Sequence, residues 1–240
     1  MMSASQERMP TRKSRTVVGM AAFVFLSLLS LMSCLTAQDP LRFEYAPLFG
    51  MIYDADNAPV AGATVTVNGE RGFESGVMGR VVIPDLVRGT HLLSVSKTGY
   101  EPVELEIDFL TRSHVLYVRM VSFDFLLAEA ETALSRGRFL EAERMLDRAA
   151  RLDPANPRAD YVRALLAYRR GNGAPAERVL VRLIESGHKL PYVNLLLADV
   201  REFLLDDREG AANSLRRYLH DREDPEAEAR LKTLGGNEAR

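Results

Sequence analysis

Ala130-Glu131-Thr132-Ala133-Leu134-Ser135-Arg136-Gly137-Arg138-Phe139-Leu140-Glu141-Ala142-Glu143-Arg144-Met145-Leu146-Asp147-Arg148-Ala149 is the stretch whose reading decides the fold. It joins two amphipathic patterns. Upstream, Phe123, Leu126, Leu127, Ala130 and Leu134 recur at helical spacing, which puts them on one face of a helix. Ser122 suits the start of that helix and Gly137 its end. Phe139, Ala142, Leu146 and Ala149 then mark the apolar face of a second helix, which stops at Asp153-Pro154. The unit returns: Ala130, Gly137, Ala142 and Ala149 recur 34 positions later as Ala164, Gly171, Ala176 and Leu183. A helix pair repeated in this way buries its apolar faces by stacking on its copies.

The second unit runs from Pro157 to about Glu185, and a looser third from Leu190 to Leu219. In the third, Asp206-Asp207 occupies the turn and Ala211 is the small residue. Asp224-Pro225-Glu226 opens a last helix with a cap, a proline at its first position and an acid in its first turn. Gly235-Gly236 ends it, and it reads as the solubilising cap a stacked array needs. The 34-residue period, with Ala130, Gly137, Phe139, Ala142, Leu146, Ala149 and Pro154 in place, resembles the tetratricopeptide repeat.

That resemblance implies a binding surface on the concave side, lined by the first helix of each repeat. Carried over by position, it gives Asp124, Leu127, Glu131, Leu134 and Ser135, then Arg158, Tyr161, Leu165, Tyr168 and Arg169. Leu127, Leu134 and Leu165 serve helix packing equally well. Tyr161, Tyr168 and Arg169 are the better contacts, since Tyr and Arg are favoured at binding hot spots. The expected groove set is therefore Glu131, Ser135, Arg158, Tyr161, Leu165, Tyr168 and Arg169. It lacks the Asn and Lys lining of the carboxylate-clamp subclass, which speaks against a chaperone-tail ligand.

Before Val121 the period changes from helical to two. Val65 and Val67 alternate with Thr64 and Thr66, and Val103, Leu105, Ile107 and Phe109 alternate with Glu104, Glu106 and Asp108. Further strands are expected at Phe49–Tyr53, Arg80–Pro84, His91–Ser96 and His114–Met120, separated by turns at Asn57-Ala58-Pro59, Asn68-Gly69, Gly79, Gly89 and Gly99. The succession Gly50-Met51-Ile52-Tyr53-Asp54, Ala58-Pro59-Val60-Ala61-Gly62-Ala63-Thr64-Val65 and Gly89-Thr90-His91-Leu92-Leu93-Ser94-Val95 resembles the carboxypeptidase regulatory-like domain. The stretch from Gly89 to Pro102 is also similar to the PEGA domain. Both resemblances imply a small transthyretin-like sandwich without catalytic residues. The expected fold is thus α+β in two domains. An all-β sandwich over 47–121 is followed by an all-α array with its capping helix over 122–240. No Gly/Pro/Ser linker lies between them, so a fixed relative orientation is expected.

The N-terminus sets the address. Arg8, Arg12, Lys13 and Arg15 precede an apolar run from Val17 to Leu31. As a helix, Val17 to Ser33 is about 25 Å long, short of the roughly 30 Å hydrocarbon core. Leu31-Met32-Ser33-Cys34 resembles the lipobox of bacterial lipoproteins, and Cys34 is the single cysteine. The resemblance implies a signal peptide over 1–33 and a diacylglyceryl thioether on Cys34. A tether over 34–46 then leads to the sandwich. An uncleaved anchor and plain secretory cleavage after Ala37 stand as alternatives. Leu35, where an aspartate would retain some lipoproteins, favours the outer membrane of a bacterial envelope, facing the periplasm or the cell surface. With one cysteine there is no internal disulfide.

The formal net charge is −2; loss of residues 1–33, with four bases and one acid, makes it −5. An acidic chain argues against a nucleic-acid partner. Chemistry is sought and not found. His220-Asp221-Arg222-Glu223 has a His-x-x-Glu spacing but no third ligand follows it. Asp54, Asp56 and Asn57 suggest calcium only faintly, because Pro59 and Val65 stand where that loop needs Gly and Glu. The chain is therefore expected to be no enzyme and to need no cofactor. It is expected to bind another envelope protein or peptide through the array and a membrane through Cys34. A glycan- or peptidoglycan-binding sandwich is the alternative, weakened by loops whose only aromatics of note are Phe73 and Tyr100.

Overall fold

The structure is a computed structural model that describes residues 44–188, 190, 192–220 and 222–235. The signal segment 1–33, Cys34 and most of the tether lie outside the described residues.

Seven strands come first: β1 (Tyr45–Asp54), β2 (Thr64–Val67), β3 (Glu70–Glu74), β4 (Arg80–Val87), β5 (Gly89–Ser96), β6 (Val103–Phe109) and β7 (Val115–Met120). They form a three-stranded sheet in the order β4-β1-β7 and a four-stranded sheet in the order β3-β2-β5-β6. β1 runs antiparallel to β4 and parallel to β7. The inward residues of both sheets make one core, with Leu48, Ile52, Val65, Leu93, Val95, Phe109 and Met120 fully buried. Asn68 and Gly69 both take positive φ between β2 and β3, the geometry a two-residue hairpin turn demands.

The tether, expected to run through Ala46, ends two residues sooner. β1 begins at Tyr45, and Ala46 is already buried opposite Leu86. Pro47 obscures this in the sequence, because proline within a run argues against a strand. It sits at the register shift between Ala46 and Leu48, where β1 has β4 as its only partner, so its missing N–H costs little.

Seven helices follow: α1 (Phe123–Ser135), α2 (Phe139–Leu152), α3 (Pro157–Arg169), α4 (Gly173–Glu185), α5 (Val193–Leu204), α6 (Arg208–Leu219) and α7 (Pro225–Gly235). Consecutive helices pack as antiparallel neighbours, and α1, α3 and α5 also touch along the array. The small residues sit at the closest approaches: Ala130, Ala142, Ala164, Ala176, Ala198 and Ala211 are all fully buried. Ser122 caps α1, accepting from Phe125 N at 3.1 Å, and Asp224 caps α7, accepting from Glu226 and Ala227 N.

The two units join without a spacer. Glu101 N donates to Val121 O and Phe123 N to Gly99 O, so the start of the array is stitched to the loop after β5. Arg148 of α2 adds a paired contact to Glu101, its Nε 2.9 Å from one carboxylate oxygen and its Nη2 on the other.

Candidate partner-binding groove

The concave surface is built by α1, α3 and α5, the first helix of each pair. Three small residues exactly one period apart, Ala130, Ala164 and Ala198, let these helices approach. Each has its next position, one residue on, turned toward the groove: Glu131, Leu165 and Asp199.

The residues singled out in the sequence fall into three groups. Leu127 and Leu134 are buried in the packing between helices. Tyr161 and Leu165 are half-buried and pack against two successive clusters, so they form the groove floor. Tyr168 is likewise half-buried, against the second cluster alone. Glu131, Ser135, Arg158 and Arg169 are exposed. Ser135 donates its hydroxyl to Thr132 O at 2.8 Å, and Arg158 pairs with Asp124 at 2.6 Å. Both partners of that pair are more than half exposed, so it contributes little to stability and leaves them available.

The structure adds residues that the sequence reading passed over. Asp199 and Glu202 of α5 face Arg230 of α7. Arg230 Nη1 donates to Asp199 at 2.6 Å and Nε to Glu202 at 2.8 Å, and its guanidinium lies 5.0 Å from the Phe203 ring centre. Nη2 is 2.7 Å from the same Glu202 oxygen but has no hydrogen-bonding angle to it. Counting 34 residues on from Leu165 and Tyr168 gives Asp199 and Glu202, so the signal was present. It is hidden because the third turn carries one extra residue, which shifts Ala211 and everything after it. Arg230 belongs to the cap, which no repeat spacing predicts.

Electrostatics confirm that these groups share one surface. Burial raises the Tyr161 phenol above its ordinary pKa, and Asp199, Tyr192 and Glu131 push it in the same direction. Burial also raises Tyr168, assisted by Asp199 and Glu202 and opposed by Arg230 and Arg169. The Asp199 carboxyl is raised as well, by burial first, with the Arg230 hydrogen bond pulling it down. One concave strip therefore carries two tyrosines between the Glu131 carboxylate and the Asp199–Arg230–Glu202 cluster. It offers aromatic faces, ring hydroxyls and charges of both signs, a set suited to holding a peptide or helix rather than to bond making.

Two family models match. Residues 47–115 match the carboxypeptidase regulatory-like domain, and residues 133–200 the tetratricopeptide repeat. The chain carries one domain of the first kind and repeats of the second, both interaction-type folds. Among solved structures, the tetratricopeptide domain of Arabidopsis OM64 is 19% identical, with a TM-score of 0.43 over 48% of this chain and 94% of that one. The first such domain of human RPAP3 is 21% identical, with a TM-score of 0.44 over 49% and 92%. The Sgt2 domain from Aspergillus fumigatus is 20% identical, with a TM-score of 0.43 over 48% and 78%. No curated protein matches the chain.

Elsewhere the chemistry is sparse. Among the described residues no group of three or more His, Cys, Asp or Glu is placed to hold a metal ion. His220 lies just after α6 and Glu223 in the loop before α7, both exposed. Asp54 Oδ1 accepts from Asp56 N and Ala58 N at 2.9 and 2.8 Å, the work of a turn.

Proposed function

We propose that the chain is a non-enzymatic lipoprotein of a bacterial envelope, anchored through Cys34, whose repeat groove holds another envelope protein or a peptide of one. The observation that carries the reading is the strip across α1, α3 and α5. There Tyr161 and Tyr168 are held half-buried between acidic neighbours on both sides, where packing alone would be served by Leu or Ala. Stacked helix pairs present such concave surfaces to partners, and Tyr and Arg supply much of the energy at protein interfaces. The mildly acidic chain is unsuited to nucleic acid. Export as a lipoprotein rests on the Leu31-Met32-Ser33-Cys34 box behind its apolar run, with two or more acyl chains giving a durable anchor.

The test uses the full chain in bacterial cells fed a radioactive fatty acid, followed by co-purification from detergent-solubilised envelopes. The wild type takes up label and Cys34→Ala does not; equal label in both contradicts the anchor. Glu131→Lys with Arg169→Glu changes only exposed groove positions. It lowers partner retention by on the order of 2 kcal/mol, more than tenfold, while the thermal melt stays put. Full retention by this variant contradicts the groove.

A further inference from the structure

The sheet β4-β1-β7 has an outer face that the rest of the fold leaves uncovered. Burial alternates strictly along β1 and β7: Ala46, Leu48, Gly50 and Ile52 point in, while Tyr45, Pro47 and Phe49 point out, and Leu116 and Val118 point in beside outward Val115 and Tyr117. The outward residues line up across the strands. Phe49 is paired in register with Val82 on one side and Val115 on the other, Met51 with Arg80 and Tyr117, and Tyr45 with Val87. Tyr45, Phe49, Val82, Val87, Val115 and Tyr117 are 41–64% exposed, although polar residues would serve a solvated face. At the end of this face where β4 begins, the turn before it exposes Val77 and Met78 too, at 83% and 62%.

The opposite sheet reads differently. Its outward positions carry Thr64, Thr66, Ser94 and Ser96 with the carboxylates Glu74, Glu104, Glu106 and Asp108. One face of the sandwich is thus aromatic and aliphatic with Arg80 and Arg119 at its border, and the other is acidic.

We infer that the outer face of the β4-β1-β7 sheet lies against an anionic lipid bilayer. Tyrosines with arginines at the border suit the headgroup region, and the carboxylates of the far sheet point away from a negative surface. The chain leading in places the face there. Only residues 35–44 separate Cys34 from Tyr45, a reach of at most about 36 Å, close to the length of β1 itself. The inference rests on the proposed Cys34 anchor. The sheet meets lipid without cost to its backbone, since the N–H and C=O groups of the central strand are satisfied within the sheet.

The chain has no tryptophan, so single tryptophans report without background. Full-length protein carrying Phe49→Trp, Tyr117→Trp or, on the acidic sheet, Ser94→Trp is purified from cells and reconstituted into vesicles. These are made of phosphatidylethanolamine and phosphatidylglycerol doped with a bromine-labelled lipid. Positions 49 and 117 are both exposed, so either variant reads the face should the other disturb folding. The reporters at 49 and 117 shift to the blue and lose most of their emission to the brominated lipid, and the reporter at 94 keeps its own. Equal quenching at all three positions, or none, overturns the inference. So does a blue-shifted reporter at 49 already present in detergent with sedimentation as a dimer, which assigns the face to a second copy. Fatty-acid labelling of the same preparations separates the two readings. Label without quenching refutes the docked face alone, and quenching of unlabelled protein refutes the anchor alone.

Discussion

Arg230 is the cation on which Asp199 depends. Burial holds the Asp199 carboxyl above its ordinary pKa, and the Arg230 hydrogen bond opposes that rise. A carboxyl raised in the folded state makes its ionised form a burden at neutral pH, relieved as pH falls through the folded pKa. Arg230→Met removes the opposing pull and leaves Asp199 and Glu202 partly buried without their shared partner. The expected loss is about 1–3 kcal/mol at neutral pH, shrinking in mild acid where Asp199 takes a proton. Asp199→Asn in the same chain recovers part of it. Urea melts at both pH values check this, and a loss that does not change with pH contradicts the role given to Asp199. The tyrosines were legible in the sequence because two of them recur a helical face apart, whereas this cluster joins α5 to the cap and exists only in three dimensions.

Helix pairs were the most legible elements, because small residues at fixed spacing report close helix approach directly. Their turns depend on backbone conformation. Gly137 and Gly171 close the first two turns at φ 70° and 79°, and Asp206 does so in the third at φ 53°. A Cβ at Gly171 would meet no atom within 4 Å, so Gly171→Ala tests conformation without a clash. It should cost about 1–2 kcal/mol by forcing a left-handed backbone on alanine. A urea melt checks this, and an unchanged midpoint would mean the turn relaxes freely. The strands were less legible at their ends than at their centres. Pro47 masks the start of β1, and β3, with Gly72 in its middle, lacks a sustained alternation. Its Asn68-Gly69 turn was plain, but the strand after it is defined by pairing with β2.

At the scale of the molecule, the sandwich and the array are joined by backbone hydrogen bonds and by the Glu101–Arg148 pair. The Glu101 carboxyl is held below its ordinary pKa, by the Arg148 hydrogen bond first and then by the charges of Arg148 and Arg151, against desolvation. A depressed carboxylate contributes stability above its ordinary pKa and loses it as pH falls through the folded value. Arg148→Met is therefore expected to cost about 1–2 kcal/mol at neutral pH and almost nothing in acid below the carboxylate range. Calorimetry of wild type and variant across that range reads the difference; a constant gap would contradict the linkage. Nothing in the sequence pairs residues 101 and 148, which lie in different units and meet because the array starts directly after β7. The groove itself is a property of the stacked whole, and cross-linking reads it most directly. A photoreactive residue replaces Glu131 or Phe203 on the concave side, or Arg144 on α2, in the full chain in cells. Illumination should join a partner protein to the positions at 131 and 203 and not to the one at 144. Cross-links from 144 alone would contradict the concave groove as the binding surface.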